Sequence, residues 1–435
     1  MFLEVTKPFI NTFKDKNIPL DVSIISILLY LLPILIITGP AIPDIILSII
    51  SIYFLIKSFF SKLKSYYSNK VFYFFILFCL YSIIRAIFSE FPNLALLNEG
   101  SIFYFRYIFF AISIWYILDN NPYLLKGLLI SLIFCLVIVI PDGLYQYFTG
   151  ENILGFKKHG LYRLTGLFND EPILGRYITY CSLMVFFLIY QLNKINHKNI
   201  ILSILLLVTC EIVIFLTGER TPLFYVVLFS ILIIIFIPKF RIYRILGFFL
   251  SSIIIFAILQ FNPVAKDRMV NITLDQISET HLPFLPYSEI HEQHYISALK
   301  MFIDKPLIGV GTSLFRYKCK EDIYLYKDKS CTSHPHNYYI QTLAELGIVG
   351  FLFLIIAYGY LVFLIIKQVF YNFKQDDSKI LKFKDLLNII ILFIYFWPLI
   401  PHMSFYNNWN NVFLMMHLGF FLKFLYSKNN NYLCK

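Results

Sequence analysis

Apolar runs close to the ~20 residues that cross a bilayer recur along the whole chain, separated by short polar breaks. Twelve are read as spanning helices, roughly 22–38, 42–60, 71–89, 101–118, 122–141, 173–192, 199–217, 221–238, 243–260, 338–366, 385–401 and 409–426. The first two also read as a hairpin, and 385–426 has a polar middle. The tenth run is longer than a bilayer needs, so part of it is expected outside. Two longer polar pieces remain, 142–172 and 261–337, the second between the ninth and tenth helices. The pattern predicts an all-α polytopic membrane protein: helices 1–9 within 1–260, a large loop at 261–337, and helices 10–12 with a tail at 338–435.

Composition agrees: 59% of 435 residues are apolar and 14% charged, which excludes a soluble multidomain protein. In a soluble chain a net charge of +11 would point to nucleic acid. Here its distribution gives another reason. With a cytoplasmic N-terminus, 21 of the 37 basic residues fall in cytoplasmic segments, five of them in 367–384. The short loops near 40, 90–100 and 402–408 on the opposite side carry none. By the positive-inside rule both termini are cytoplasmic, 261–337 is external, and no nucleic-acid partner is expected. The first apolar run is long enough to span, so it is not read as a cleavable signal. Cys79, Cys135, Cys181 and Cys210 lie in apolar runs and read as small buried side chains. Cys319 and Cys331 share the external loop, where a disulfide would stabilise it by ~3 kcal/mol on the chain-entropy model.

Ionisable side chains within spans are functional candidates by default. Arg85, Arg106 and Glu211 each lie near the external end of a run, roughly 8–9 Å deep at 1.5 Å per residue. Snorkelling or a structural ion pair is the plain alternative. Thr217-Gly-Glu-Arg220 is a tight external turn that sets a guanidinium at the height of lipid phosphates, where it either binds phosphate oxygens or anchors the interface. Arg163-Leu-Thr-Gly-Leu-Phe-Asn-Asp-Glu171 brings a base and two acids together before the sixth span, although acids there also complement a helix N-terminus. His281, His291, His294, His334 and His336 fall in 261–337; their spacing lacks a zinc-finger pattern, and no metal or other cofactor is expected. Within that loop, 291–304 reads as an amphipathic helix and 305–311 as a turn. His336-Asn337 stands where the loop re-enters the membrane, so its imidazole can take a proton from a hydroxyl, hold a phosphate oxygen, or merely pack.

Four pieces in this order, Arg163-Leu-Thr-Gly-Leu-Phe-Asn-Asp, the Thr-Gly-Glu-Arg turn, Asp304-Lys-Pro-Leu-Ile-Gly-Val-Gly-Thr312 and His336-Asn-Tyr-Tyr-Ile-Gln-Thr-Leu-Ala-Glu-Leu-Gly-Ile-Val-Gly350, resemble the O-antigen ligase and polymerase superfamily. The resemblance implies a GT-C-like, metal-independent glycosyltransferase of the bacterial inner membrane. It would work at the periplasmic face on an undecaprenyl-pyrophosphate-linked glycan. It also implies that Arg220 and His336 are the turn arginine and the His-Asn histidine of the family. The family's loop arginine falls on His291, with Arg268, Arg316 or a protonated His291 as substitutes.

Arg220 would then hold the pyrophosphate as charge builds on it, and His336, or an acid such as Glu171, would activate the acceptor. Arg163, His334, His291, Arg268, Arg106, Arg85 and Asn337 are the candidate substrate-binding side chains. The absence of an Asp-x-Asp motif from the external segments argues against metal-dependent transfer. Lipid A-core, a second lipid-linked glycan or a protein would serve as acceptor. The ligase reading is preferred because the His-Asn-x-x-x-Gln-x-x-x-Glu-x-Gly spacing resembles that branch. A lipid-oligosaccharide flippase, the rival class, should show repeat symmetry and polar helices at mid-membrane.

Overall fold

A computed structural model describes residues 2–61, 63–192, 196–279, 288–374, 381 and 383–426. His281, Lys379, Lys382, Cys434 and the Asn-rich 429–431 lie outside the described residues. Twelve helices coincide with the twelve expected runs: α1 Leu20–Leu35, α2 Ala41–Phe60, α3 Lys70–Ile87, α4 Arg106–Asn120, α5 Leu124–Thr149, α6 Leu174–Leu192, α7 His197–Leu216, α8 Arg220–Phe236, α9 Pro238–Phe261, α10 Tyr338–Lys374, α11 Phe383–Tyr395 and α12 Asn408–Tyr426. Among the described residues, eight helices are long and apolar enough to cross a membrane; α6, α8, α11 and α12 are not among them. The chain is a membrane protein with an all-helical fold, and two isolated bridges, Glu151 with Lys157 and His159 with Arg163, are the β pairing among the described residues.

The lipid-facing helices are apolar outside and small or polar inside. On α9 the buried side is Phe240, Arg244, Gly247 and Ser251, while Ile242, Leu246, Phe249, Ile253 and Phe256 are exposed. This is the inversion expected where lipid replaces water as the solvent. The central α6 is buried on nearly all sides and packs on α5, α7, α8 and α11.

Contacts divide the connecting segments between two ends. At one end Lys57 meets Asp21, Lys423 meets Asp119, and Lys384 donates to the Gln191 carbonyl. At the other, Arg106 meets Asp44, Lys318 meets Glu90, Tyr162 donates to Asp267, and the Leu164 amide donates to the Thr217 carbonyl. The 142–172 loop starts later than expected. Helix α5 runs through Pro141 to Thr149, so Asp142 and Gln146 are buried helix residues. The Gln146 side-chain oxygen accepts from the Thr165 and Gly166 amides (2.9 Å each), and Asp142 accepts from the Ile153 amide (3.0 Å), which pins the loop that carries Arg163.

Candidate active site

The entry to α10 is a mount for one histidine. His336 has a left-handed backbone, φ 55°, a conformation that non-glycine residues hold only where their surroundings enforce it. Asn337 enforces it from one side. Its oxygen caps α10 by accepting from the Tyr339 and Ile340 amides (3.0 and 3.2 Å), and its nitrogen donates to the Pro398 carbonyl at 2.9 Å. One turn on, the Gln341 oxygen accepts from the Phe405 amide, and its nitrogen donates to Ser404 and Glu345. Glu345 in turn accepts from the Phe315 amide.

Helix α10 then breaks at Gly347, φ 66°. A Cβ there would stand 2.4 Å from backbone atoms of Leu307 and Ile308, and one at Gly309 would stand 2.3 Å from the Glu345 carbonyl carbon. Only two glycines allow the 305–311 turn to lie this close, and the Val310 and Gly311 amides donate to the Ala344 and Glu345 carbonyls (2.9 Å each). Arg85 completes the joint, donating to the Ile308 carbonyl (2.7 Å) and the Gly309 carbonyl (3.1 Å).

Around His336 stand other imidazoles. Ring centroids lie 4.1 Å away for His334 and 5.4 Å for both His291 and His294. His291 and His294 come from the loop helix Glu289–Asp304, whose buried side also carries Tyr295, Ala298 and Met301. His402 donates its amide to the His336 carbonyl (2.6 Å) and stacks its ring on Tyr338 at 4.1 Å. Burial, joined by neighbouring cations and imidazoles, holds the rings uncharged: His291 and His334 are pulled down to about 4, His402 to about 3, and His336 further still. Among the described residues no group of three or more side chains is arranged to hold a metal.

Guanidinium groups face the imidazoles. Arg220 opens α8, donates to the Gln276 side chain (2.6 Å) and the Arg268 carbonyl (3.1 Å), and leaves its buried Nε unpartnered. Arg268 donates to the Gly218 carbonyl at 3.1 Å. Arg163 donates to the Pro172 carbonyl at 3.0 Å, and its Nε is also buried without a partner. Glu219 is 4% exposed and accepts from the Gly175 amide at 2.6 Å. Burial pushes its carboxyl up to about 7 against the pull of Arg163 and Arg176. Arg176, in the first turn of α6, also acts electrostatically on His334, His336 and His402. The result is a cluster of guanidinium groups beside neutral imidazoles, called the His336 chamber below.

Of the sequence-predicted residues, Arg220, Arg163, Arg268, His291, His334 and His336 meet here. Of the three groups offered for the family's loop arginine, a protonated His291 is disfavoured, because burial, with His294 and Arg220 nearby, lowers the basicity of that ring. Glu171 is exposed on the loop, whereas Glu219 is the carboxylate inside the chamber. Arg85 is occupied by the 305–311 turn, and Asn337 by capping. Arg106 pairs with Asp44 at 2.6 Å and donates to Asn408 at 3.1 Å. Arg316 stands 3.6 Å from Glu99. Glu211 pairs with Arg244, which lies at the start of the expected ninth span, 243–260. Cys319 and Cys331 are disulfide-bonded with Cα atoms 5.1 Å apart.

Three chamber residues escaped the sequence reading. Arg176 reads as the basic flank of a loop, and Glu219 sits between the glycine and arginine that define its turn. His402 stands alone in a short connection and gives no local signal. A search of curated proteins gave no match to the chain. The family model for O-antigen ligase matches residues 202–355, from α7 past the break in α10, a stretch that holds Glu219, Arg220, Arg268 and all four clustered loop histidines. Over that stretch, 154 of the 435 residues, the chain is similar to the O-antigen ligase family.

Proposed function

We propose that the protein is an O-antigen ligase-type glycosyltransferase that moves a glycan from undecaprenyl pyrophosphate to a sugar hydroxyl of lipid A-core, with inversion and without a metal. The observation that carries this reading is the clustering of Arg163, Arg176, Arg220 and Arg268 with uncharged imidazoles that include His336. The acceptor oxygen attacks the anomeric carbon, the bond from that carbon to the pyrophosphate oxygen breaks, and its electron pair leaves on the pyrophosphate. The charge that builds there meets guanidinium groups already in place, so they favour the transition state over the ground state. The unpartnered Nε–H groups of Arg220 and Arg163 are free to donate to phosphate oxygens.

His336 takes the proton of the attacking hydroxyl. Burial and nearby cations depress its basicity, and a bound diphosphate supplies the negative charge that restores it. Glu219 is a positioning residue: its carboxylate is held by the Gly175 amide and acts electrostatically on Arg163 and Arg176. The charge bias set out above makes both termini cytoplasmic and the active face external, and the family resemblance makes the membrane the bacterial inner membrane and that face periplasmic.

The test uses full-length protein in nanodiscs with undecaprenyl-pyrophosphate-linked oligosaccharide, EDTA throughout, and either lipid A-core or further donor as acceptor. Transfer to the core, reduced at least ~100-fold in His336→Ala and Arg220→Ala, is the expected result. Chain lengthening instead would identify a polymerase. No transfer to either acceptor would end the transferase reading in favour of transport.

A further inference from the structure

At the same end of the molecule as the His336 cluster a cavity of about 310 Å³ opens. Four separate segments build it: Asp44 before α2's first turn ends, the 98–107 stretch into α4, Ser313 and Arg316 of the large loop, and 404–408 leading into α12. Its charges are matched. Arg106 pairs with Asp44 at 2.6 Å and Arg316 stands 3.6 Å from Glu99, so two guanidinium groups face two carboxylates. Asn407 and Asn408 add amides, and Phe103, 48% exposed, adds an apolar ring face. The buried Nε atoms of Arg106 and Arg316 have no partner, and Ser313 is held at φ 57° on the lining.

This chemistry selects its occupant. An anion would gain little where each cation already has its carboxylate, and an acyl chain would strand the polar lining unsolvated. A sugar hydroxyl both donates and accepts, so it is served by carboxylates, guanidinium N–H groups and amides together, while its C–H face suits an aromatic ring. The volume lies at the small end of the ~300–1,000 Å³ range of ligand sites, enough for a short saccharide segment.

Position links the cavity to the chamber. Residues 402–408 are shared: His402 donates its amide to the His336 carbonyl and stacks on Tyr338, while Ser404, Asn407 and Asn408 line the cavity. We infer that this cavity is the subsite for an uncharged sugar segment of the acceptor, holding it so that the neighbouring hydroxyl is presented to the His336 chamber. The acceptor assignment rests on the transferase reading; the binding of sugar does not.

The experiment titrates full-length protein in nanodiscs with soluble, dephosphorylated core oligosaccharide and no donor, reading binding by saturation-transfer NMR. Wild type and His336→Ala should bind alike, and Glu99→Gln and Arg316→Ala should weaken binding about tenfold, the loss of one hydrogen bond to a charged group. Arg316→Lys should recover part of it. Because Arg316 is 40% exposed, its truncation leaves the fold intact, which a thermal midpoint checks. With donor added, the same two variants should raise the acceptor KM about tenfold and leave the donor KM unchanged. Unchanged binding in both variants, or binding lost only in His336→Ala, overturns the subsite. A wild type that binds the sugar and transfers nothing sinks the transferase reading and leaves the subsite standing.

Discussion

His336 shows how backbone, burial and charge act on one side chain. Its left-handed φ turns the ring away from the helix it precedes, the Asn337 cap holds that turn, and the His402 amide fixes its carbonyl. The five neutral imidazoles also have a thermodynamic consequence. In the unfolded chain each titrates near 6.5, while in the fold burial lowers all five, His291 and His334 to about 4 and His402 to about 3. Between those values the unfolded state binds more protons, so stability rises with pH and is lost as pH falls below 6.5. Glu219 works the other way: between 4.5 and about 7 the folded state holds its extra proton, which favours the fold on acidification. The imidazoles outnumber the buried carboxyls that behave like Glu219, so the net effect is destabilisation. The thermal midpoint in detergent should drop from pH 7 to pH 5, and His334→Phe with His336→Phe should flatten that slope. A slope unchanged in the double variant would refute the assignment of the effect to these rings.

At the scale of elements, paired motifs explain each other. The glycines of 305–311 and 345–347 are written for one backbone-to-backbone joint, and Arg85 is the clasp across it. Helices α7, α8 and α9 are joined by a different device. Arg244 is fully buried and pairs with Glu211, and its guanidinium also donates to Ser230 at 2.5 Å. Removing one partner leaves the other charge buried and uncompensated, a cost of ~3–5 kcal/mol. Arg244→Met should therefore lower the thermal midpoint strongly, and adding Glu211→Leu should restore most of it, since an apolar pair suits this environment. Equal destabilisation in the single and double variants would contradict the argument. The helices themselves were legible because each carries an apolar run. The partner of Glu211 was not, because Arg244 lies in the first turns of its helix and reads as a loop-side positive charge.

Over the whole molecule, the candidate site concentrates at one end. The loops at 150–173, 217–219, 262–279, 288–337 and 396–407 come together there, and the loop helix Glu289–Asp304 lies on α10. The Cys319–Cys331 bridge closes the segment that leads to His334 and His336. On the chain-entropy model such a closure contributes ~3 kcal/mol. Cys319→Ser with Cys331→Ser should lower the thermal midpoint, raise amide exchange over 319–336 and reduce transfer, with the loss greatest at elevated temperature. Full activity and unaltered exchange in the double variant would show that the bridge does not hold the histidine mount.

What the sequence determined by itself was what depends on local pattern: the helices from apolar length, and the His336 and Arg220 motifs from neighbouring residues. Only the tertiary structure decided which charges share a space. Arg85, Arg106 and Glu171 look as chemical in sequence as Arg163, and Arg176, Glu219 and His402 look plainer. Their roles separate once α6, the 217–219 turn and the 396–407 connection close around one volume, because burial and proximity are properties of residues far apart in the chain.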